Sequence, residues 1–328
     1  MGLTVAVTGP TGQIGISTVG RLEREPAVKR IIGMARRPFD PSAHGWTKTV
    51  YQQGDIRDRA AVDALVADAD VVVHLAFQIM GSRHETESIN LGGTRNVFEA
   101  TVGVARRRRL VYTSSVAAYG YHPDHPSPIT EDVPTRGTPE HYYSQQKAAC
   151  EADLAALIAG SDSEVYVLRP CIVAGPKAPA LAAALPWNHG PGMLRTVVRA
   201  LLVVPDPGIP MQLVHHDDVA KAIALALTTS APPGPYNIAA DGLVSISEVV
   251  QAFGGHAVRV PHVAATAASA LLAHFPFVPA VAEWLHTIRA ASIMDTTRAR
   301  MFLGWTPAFT TWQALDALAR TKNGLRQP

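Results

Sequence analysis

Cysteine is almost missing. The 328 residues include two, Cys150 and Cys171, too few for a disulfide framework and without metal-ligand spacing to another cysteine, as a reducing cytoplasm leads one to expect. An excess of one charge is missing as well. The 29 basic and 27 acidic residues leave a formal charge of +2, so no field selects nucleic acid or an anionic membrane. The only basic run, Arg106 to Arg109, falls between a helical pattern and the strand Leu110-Val111-Tyr112, where cations complement a helix C-terminus. Nothing before Leu3 leaves room for a charged n-region and an apolar h-region, so no signal peptide is expected. One stretch, Val263 to Ala282, has no Asp, Glu, Lys or Arg and has the length of a membrane span. Pro276, Pro279 and His274 interrupt it and no basic cluster flanks it, so a helical pair over a greasy pocket or interface is expected rather than an integral membrane segment.

What is present organises around the N-terminus. The apolar run Leu3-Thr4-Val5-Ala6-Val7 breaks into Thr8-Gly9-Pro10-Thr11-Gly12-Gln13-Ile14-Gly15, which reads as buried strand, tight turn and first helical turn. Gly9 takes the angles of a sharp turn, Gly12 admits an anion to main-chain N–H groups, and Gly15 lets the helix lie on the sheet. A diphosphate fits the N-terminus of that helix. Downstream, strands at Ile31 to Ala35, Thr49 to Gln53, Val71 to Ala76, Leu110 to Thr113 and Val165 to Leu168 alternate with helices. Those helices run from about Ile14 to Arg24, from an Asp58 cap to about Val66, from about Glu85 to Ala105, and from Tyr142 to Ile158. This rhythm predicts an α/β fold, a Rossmann-type doubly wound parallel sheet. Residues 1–170 are expected to form the NAD(P)-binding domain. Residues 171–328, rich in proline and glycine at first, are expected to form a smaller substrate lobe interleaved with the last strands.

Tyr143 and Lys147 stand four apart in a helix and share one face; Tyr142 points about 140° away from Lys147. A tyrosine titrates near ~10, so acid/base work at pH 7 calls for a cleft shielded from water. The strand Leu110 to Thr113 ends in Ser114-Ser115, which places hydroxyls at the same sheet edge. In His215-His216-Asp217-Asp218, capping of the following helix by Asp217 or Asp218 is expected, and no metal.

Together these motifs make the chain resemble an extended short-chain dehydrogenase/reductase of the NAD-dependent epimerase/dehydratase family. The matching stretches are Thr8-Gly9-x-x-Gly12-x-x-Gly15, Gly54-Asp55-Ile56-Arg57-Asp58, His74-Leu75-Ala76, Asn90-x-x-Gly93-Thr94-x-Asn96, Thr113-Ser114-Ser115, Tyr143-x-x-x-Lys147, Arg169-Pro170 and Asp217-Asp218-Val219-Ala220. The resemblance implies Ser115 polarising a substrate oxygen, Tyr143 as general acid/base, and Lys147 lowering the pKa of Tyr143 while holding the nicotinamide ribose. It further implies a cofactor path along Gly9, Thr11, Gly12, Gln13, Ile14, Gly15, Leu75, Ala76 and Pro170, with Asp55 and Ile56 at the adenine and Asn90 ordering the helix beside the site. In this family the two long helices commonly pack as a homodimer, which is expected here by analogy.

Departures narrow the expectation. Val116 and Ala117 follow Ser115 where dehydratases of the family carry acids. Cys171 stands where sugar-nucleotide epimerases usually have asparagine, and Gln212 to His216 offers no arginine for a diphosphate, although Arg195 or Arg199 could substitute. Ala35, Arg36 and Arg37 occupy the strand end where an acid would grip the ribose of NAD, and guanidinium suits the 2′-phosphate of NADP. The expected activity is hydride transfer between nicotinamide, NADP preferred over NAD, and a carbonyl or secondary alcohol, a hydrophobic one where the apolar lobe forms the pocket. A sugar-nucleotide epimerase is the alternative enzyme, and a dinucleotide-binding sensor or scaffold is the alternative of another class.

Overall fold

The computed structural model describes residues 2–102, 108–185, 187, 192–261 and 290–322. The uncharged run Val263 to Ala282 lies outside the described residues, among which no helix is long and apolar enough to cross a membrane.

The apolar runs become parallel strands. In chain order they are β1 (Leu3–Thr8), β2 (Val28–Ala35), β3 (Thr49–Gln53), β4 (Val71–His74), β5 (Arg109–Thr113), β6 (Glu164–Pro170), β7 (Ile172–Ala174), β8 (Val203–Asp206), β9 (Leu213–His215), β10 (Gly234–Ile238) and β11 (His256–Arg259). Seven of them form one sheet in the order β10-β6-β5-β4-β1-β2-β3, parallel throughout. Its middle strands are buried on both faces, which is why they read as unbroken apolar runs. Val5 and Val7 pack into one core with Leu22, Tyr236 and Trp305. Ala6, between them, faces the other core with Leu65, Phe98, Leu110 and Leu154, as a period of two requires.

One face carries α1 (Gly15–Leu22) packed on α8 (His216–Thr228); the other carries α2 (Arg59–Val66), α4 (Thr94–Val102) and α5 (Tyr142–Ile158). Asp58 caps α2 as expected, accepting from the N–H groups of Ala60 and Ala61 at 3.0 and 3.3 Å. The helix expected from about Glu85 begins as α3 (Arg83–Glu87), widens into a π-helical turn at Ser88–Gly93 and resumes as α4; residues 103–107 lie outside the description. At that turn Gly93 lies so near Ile56 that a Cβ there would fall 2.5 Å from its Cγ1. The remaining helices are α6 (Ala180–Ala183), α7 (Gly192–Leu201), α9 (Ile246–Ala252), α10 (Thr297–Leu303) and α11 (Thr311–Lys322). Leu181, Trp187, Leu213, Phe253 and Leu315 form a third, smaller core around the β7–β9 and β8–β11 pairs.

Two local expectations are corrected. The N-cap of α8 is His215, whose side chain accepts from the N–H of Asp217 at 3.3 Å, and neither aspartate caps it. Asp218 instead accepts from the N–H groups of Ala308 and Phe309 at 2.7 and 3.1 Å, tying the C-terminal segment down. The cations after α4 do meet helix-end carbonyls, but buried ones: Arg108 donates to Ala100 O at 3.1 Å, and Arg109 to Glu164 and to the carbonyls of Ala226 and Thr229.

Candidate active site

Where the strand order turns back between β1 and β4, a parallel sheet leaves a crevice at its C-terminal edge. Here a cavity of about 1060 Å³ opens there, lined from β1, β2, β4, β5, β6 and the start of α5. His74, last in β4, staples the edge: Nδ1 lies 2.6 Å from Thr8 Oγ1 and Nε2 lies 3.0 Å from Thr94 Oγ1. Burial pulls its pKa down to about 3, so it holds both hydroxyls as a neutral ring.

The glycine turn fits a dinucleotide on its own geometry. Gly9 has φ +71°, and a Cβ there would sit 2.8 Å from Ala76 N; a Cβ at Gly15 would sit 2.1 Å from Gly9 O. No side chain caps α1; Ile16 N already donates to Gly12 O at 3.2 Å, and the helix N-terminus still favours an anion through its dipole. Gly9, Gly12, Gln13, Ile14, Gly15, Arg36, Arg37, Leu75, Ser115, Tyr143, Lys147 and Pro170 all line the cavity. Arg36 approaches Gln78 Oε1 at 3.5 Å, and Tyr51 orders the arginine loop by donating to the carbonyls of Ala35 and Arg37. No carboxylate lines the cavity among the described residues, whereas Arg36, Arg37, Arg83 and Lys147 do.

Four expected cofactor contacts do not line it: Thr11, Asp55, Ile56 and Ala76. Asp55 folds back onto Arg57 at 2.6 Å, and that bond lowers its pKa. Ile56 is buried against Gly93. Ala76 spends its N–H on Thr8 Oγ1 at 3.3 Å and closes against Gly9.

The reactive trio does come together. Tyr143 and Ser115 line the same cavity; burial raises the pKa of Tyr143 above its ordinary value, and its interaction with Ser115 opposes the rise. Ser115 Oγ also accepts from Ala117 N at 3.1 Å, which orients it at the strand end. Burial lowers the pKa of Lys147 to about 7. Its Nζ donates to Thr113 O at 2.9 Å and meets Tyr112 Oη at 3.4 Å, and the ring centroid of Phe77 lies 3.6 Å away.

Beneath the trio runs a brace that motif reading missed. Glu151, one helical turn beyond Lys147, takes Arg169 Nη2 at 2.6 Å and Nε at 3.1 Å, and Ser114 Oγ at 2.5 Å. Arg169 Nη1 continues to Tyr119 Oη at 2.8 Å, and Tyr119 donates to Asn237 Oδ1 at 2.7 Å. Asn90 is a buried scaffold amide: Oδ1 accepts from Gln78 N at 2.7 Å, and Nδ2 reaches Gln78 O and Gln146 Oε1 at 2.8 and 2.7 Å. It thereby fixes the Phe77–Gln78 segment on the cavity rim.

A model of the NAD dependent epimerase/dehydratase family matches residues 5–239. The chain belongs to that family. An uncharacterized protein of Mycobacterium tuberculosis is 27% identical over 327 residues, 95% of this chain and 82% of that protein. Human 3 beta-hydroxysteroid dehydrogenase type 7 is 34% identical over 166 residues, 45% of this chain and 43% of its own. The crystal structure of UDP-glucuronic acid 4-epimerase from Bacillus cereus in complex with NAD, 18% identical, matches with a TM-score of 0.73 over 99% of this chain and 100% of that one; at that identity the likeness concerns the fold.

Within the epimerase/dehydratase frame, the His215, His216 and Asp217 donors lie within 4.8 Å of one another. Their atoms serve the α1–α8 contact: His216 Nδ1 lies 2.8 Å from Ser17 Oγ and 3.0 Å from Asp217 Oδ1. Phe77, directly after the family's His-Leu-Ala strand end, escaped sequence reading because an aromatic beside an apolar strand reads as core.

Proposed function

We propose that the chain is an NADP-preferring oxidoreductase that interconverts an apolar carbonyl compound and its secondary alcohol. The observation that carries this reading is the part of the lining formed by Val116, Cys171, Ile172, Val173 and Ala180, a run that carries no cation among the described residues to hold a substrate diphosphate. Arg199 stands beside Gly254, off the cavity, and the side chain of Arg195 is outside the description. Gln212, on the approach to α8, is occupied by the Met294 backbone at 2.8 and 3.4 Å. The segment shared with a human hydroxysteroid dehydrogenase supports the same reading.

The bound nicotinamide would supply or accept the hydride. Ser115 and Tyr143 would hold the substrate oxygen from one side. Because burial keeps Tyr143 protonated at neutral pH, it would deliver its proton to a carbonyl oxygen there. The reverse, alcohol oxidation, would gain as pH rises and the phenol gives up its proton. Incubating the protein with NADPH and a panel of ketones, aldehydes and nucleotide sugars tests the reading. Interconversion of two epimeric nucleotide sugars without net cofactor consumption would replace it with epimerisation.

Cofactor preference follows from Arg36 and Arg37. A charge-assisted contact to a 2′-phosphate contributes roughly 1.5–3 kcal/mol, tenfold or more in affinity. Fluorescence titration is expected to give a lower Kd for NADPH than for NADH, with Arg36→Ala narrowing the gap more than Arg37→Ala. Equal affinities in the wild type would mean the arginines do not face the ribose.

The enzyme is proposed to be a cytoplasmic homodimer built on α4 and α5. The outward face of α5 supports this, because Ala149, Ala152 and Ala156 are exposed along it at a spacing that lets a second helix approach closely. Light scattering is expected to report a dimer for the wild type and a monomer for Ala152→Glu. A wild-type monomer at assay concentration would remove the proposal.

A further inference from the structure

Lys147 lines the cavity and is almost fully buried, so its surroundings leave it little water. Two oxygens take its donors, Thr113 O at 2.9 Å and Tyr112 Oη at 3.4 Å. A further side is covered by the face of Phe77, whose centroid is 3.6 Å from Nζ. The same ring meets Tyr143 edge to face, centroids 5.6 Å apart at 90°. Phe77 therefore touches both groups on which proton transfer depends, and the Asn90 clamp on Gln78 holds it there. The other titratable neighbours are Tyr112 of β5, His74 of β4, and Cys150 and Glu151 of α5. Cys150 and Glu151 favour the ammonium, and His74 opposes it only when protonated, well below neutral pH.

An aromatic face attracts a cation through its quadrupole, and the attraction grows when water is excluded. An aliphatic side chain of similar size would exclude water equally but offer no such attraction. We propose that Phe77 is a positioning residue for Lys147: its ring face keeps the ammonium charged and in place beneath Tyr143, and so sets the upper pH limit of turnover. This rests on the reading above, in which Tyr143 and Lys147 serve one hydride transfer. The sign is fixed by the charge. Removing the π face disfavours the protonated amine, so Lys147 loses its proton at lower pH and the alkaline limb of kcat/KM moves down.

The test compares pH profiles of kcat/KM for NADPH-dependent reduction in the wild type, Phe77→Leu, Phe77→Trp, and protein carrying 4-fluoro-, 3,5-difluoro- or 3,4,5-trifluorophenylalanine at position 77. Leucine is expected to move the alkaline limb down by about one pH unit, tryptophan to return it to or above the wild-type value, and the fluorinated rings to lower it stepwise. The fluorinated rings keep the shape of phenylalanine, so they decide the matter even where Phe77→Leu fails to fold, and a packing role would leave the limb unmoved across them. An unmoved limb in the fluorinated series overturns the proposal. Failure of the underlying reading looks different: Tyr143→Phe would then keep near-wild-type turnover, whatever Phe77 does.

Discussion

Tyr143→Phe is expected to lower kcat by about 10²–10⁴-fold, the usual loss when a positioned general acid/base is removed, while NADPH binding stays close to wild type. The substitution deletes one oxygen, the phenol that shares the cavity with Ser115, and keeps the ring that meets Phe77 edge to face. It therefore removes the transferable proton without emptying the space. Ser115→Ala should act in the same direction, because Ser115 opposes the effect of burial on the phenol. Single-turnover measurement of NADPH oxidation with a turned-over ketone separates the chemical step from product release. A Tyr143→Phe enzyme with near-wild-type kcat would mean that another group moves the proton.

Glu151→Ala is expected to destabilise the protein by about 3–5 kcal/mol, because it leaves a buried guanidinium without its counter-charge. Arg169 and Glu151 side chains are 7% and 8% exposed, and the carboxylate also receives Ser114, so one substitution strands two donors. In a chain of 328 residues, such a loss corresponds to a fall in Tm of about 4–7 °C. Thermal unfolding followed by circular dichroism measures it. Pairing Glu151→Leu with Arg169→Met removes both charges together, and the double variant should be more stable than either single one. A Glu151→Ala protein that melts with the wild type would show that water reaches Arg169 and that the brace contributes little.

The parts of this molecule that sequence reading recovers are those written in local periodicity. The apolar run of β1, the glycine turn and the Tyr143-x-x-x-Lys147 face each lie within a few residues, so sterics and helix geometry specify them. The brace does not: Glu151 meets Arg169 18 residues away and Ser114 37 residues away, and only the fold brings them together. Asp55, Ile56, Thr11 and Ala76 do not line the cavity, although Thr11 and Ala76 each adjoin a residue that does. Which neighbour faces the cavity depends on bonds that spacing does not encode, such as Asp55 folding onto Arg57 and Ala76 donating to Thr8. His215 displaced two aspartates as the cap because a strand running straight into a helix presents its last ring to the first free N–H groups.

The last strand of the main sheet, β10, begins at Gly234 and pairs with β6, which ends at Pro170. Until some 64 further residues of chain have been made, β6 has no partner on its outer side and Asn237 cannot complete the chain of bonds through Tyr119 to Arg169. During synthesis, a nascent chain halted anywhere in between would present an open, apolar strand edge to its neighbours, the surface from which sheets grow into aggregates. Cutting the chain after Pro170 exposes the same edge permanently. The half that carries the glycine turn and the reactive tyrosine is thus no portable module, and recombination that exchanges the second half must bring a strand able to close the sheet.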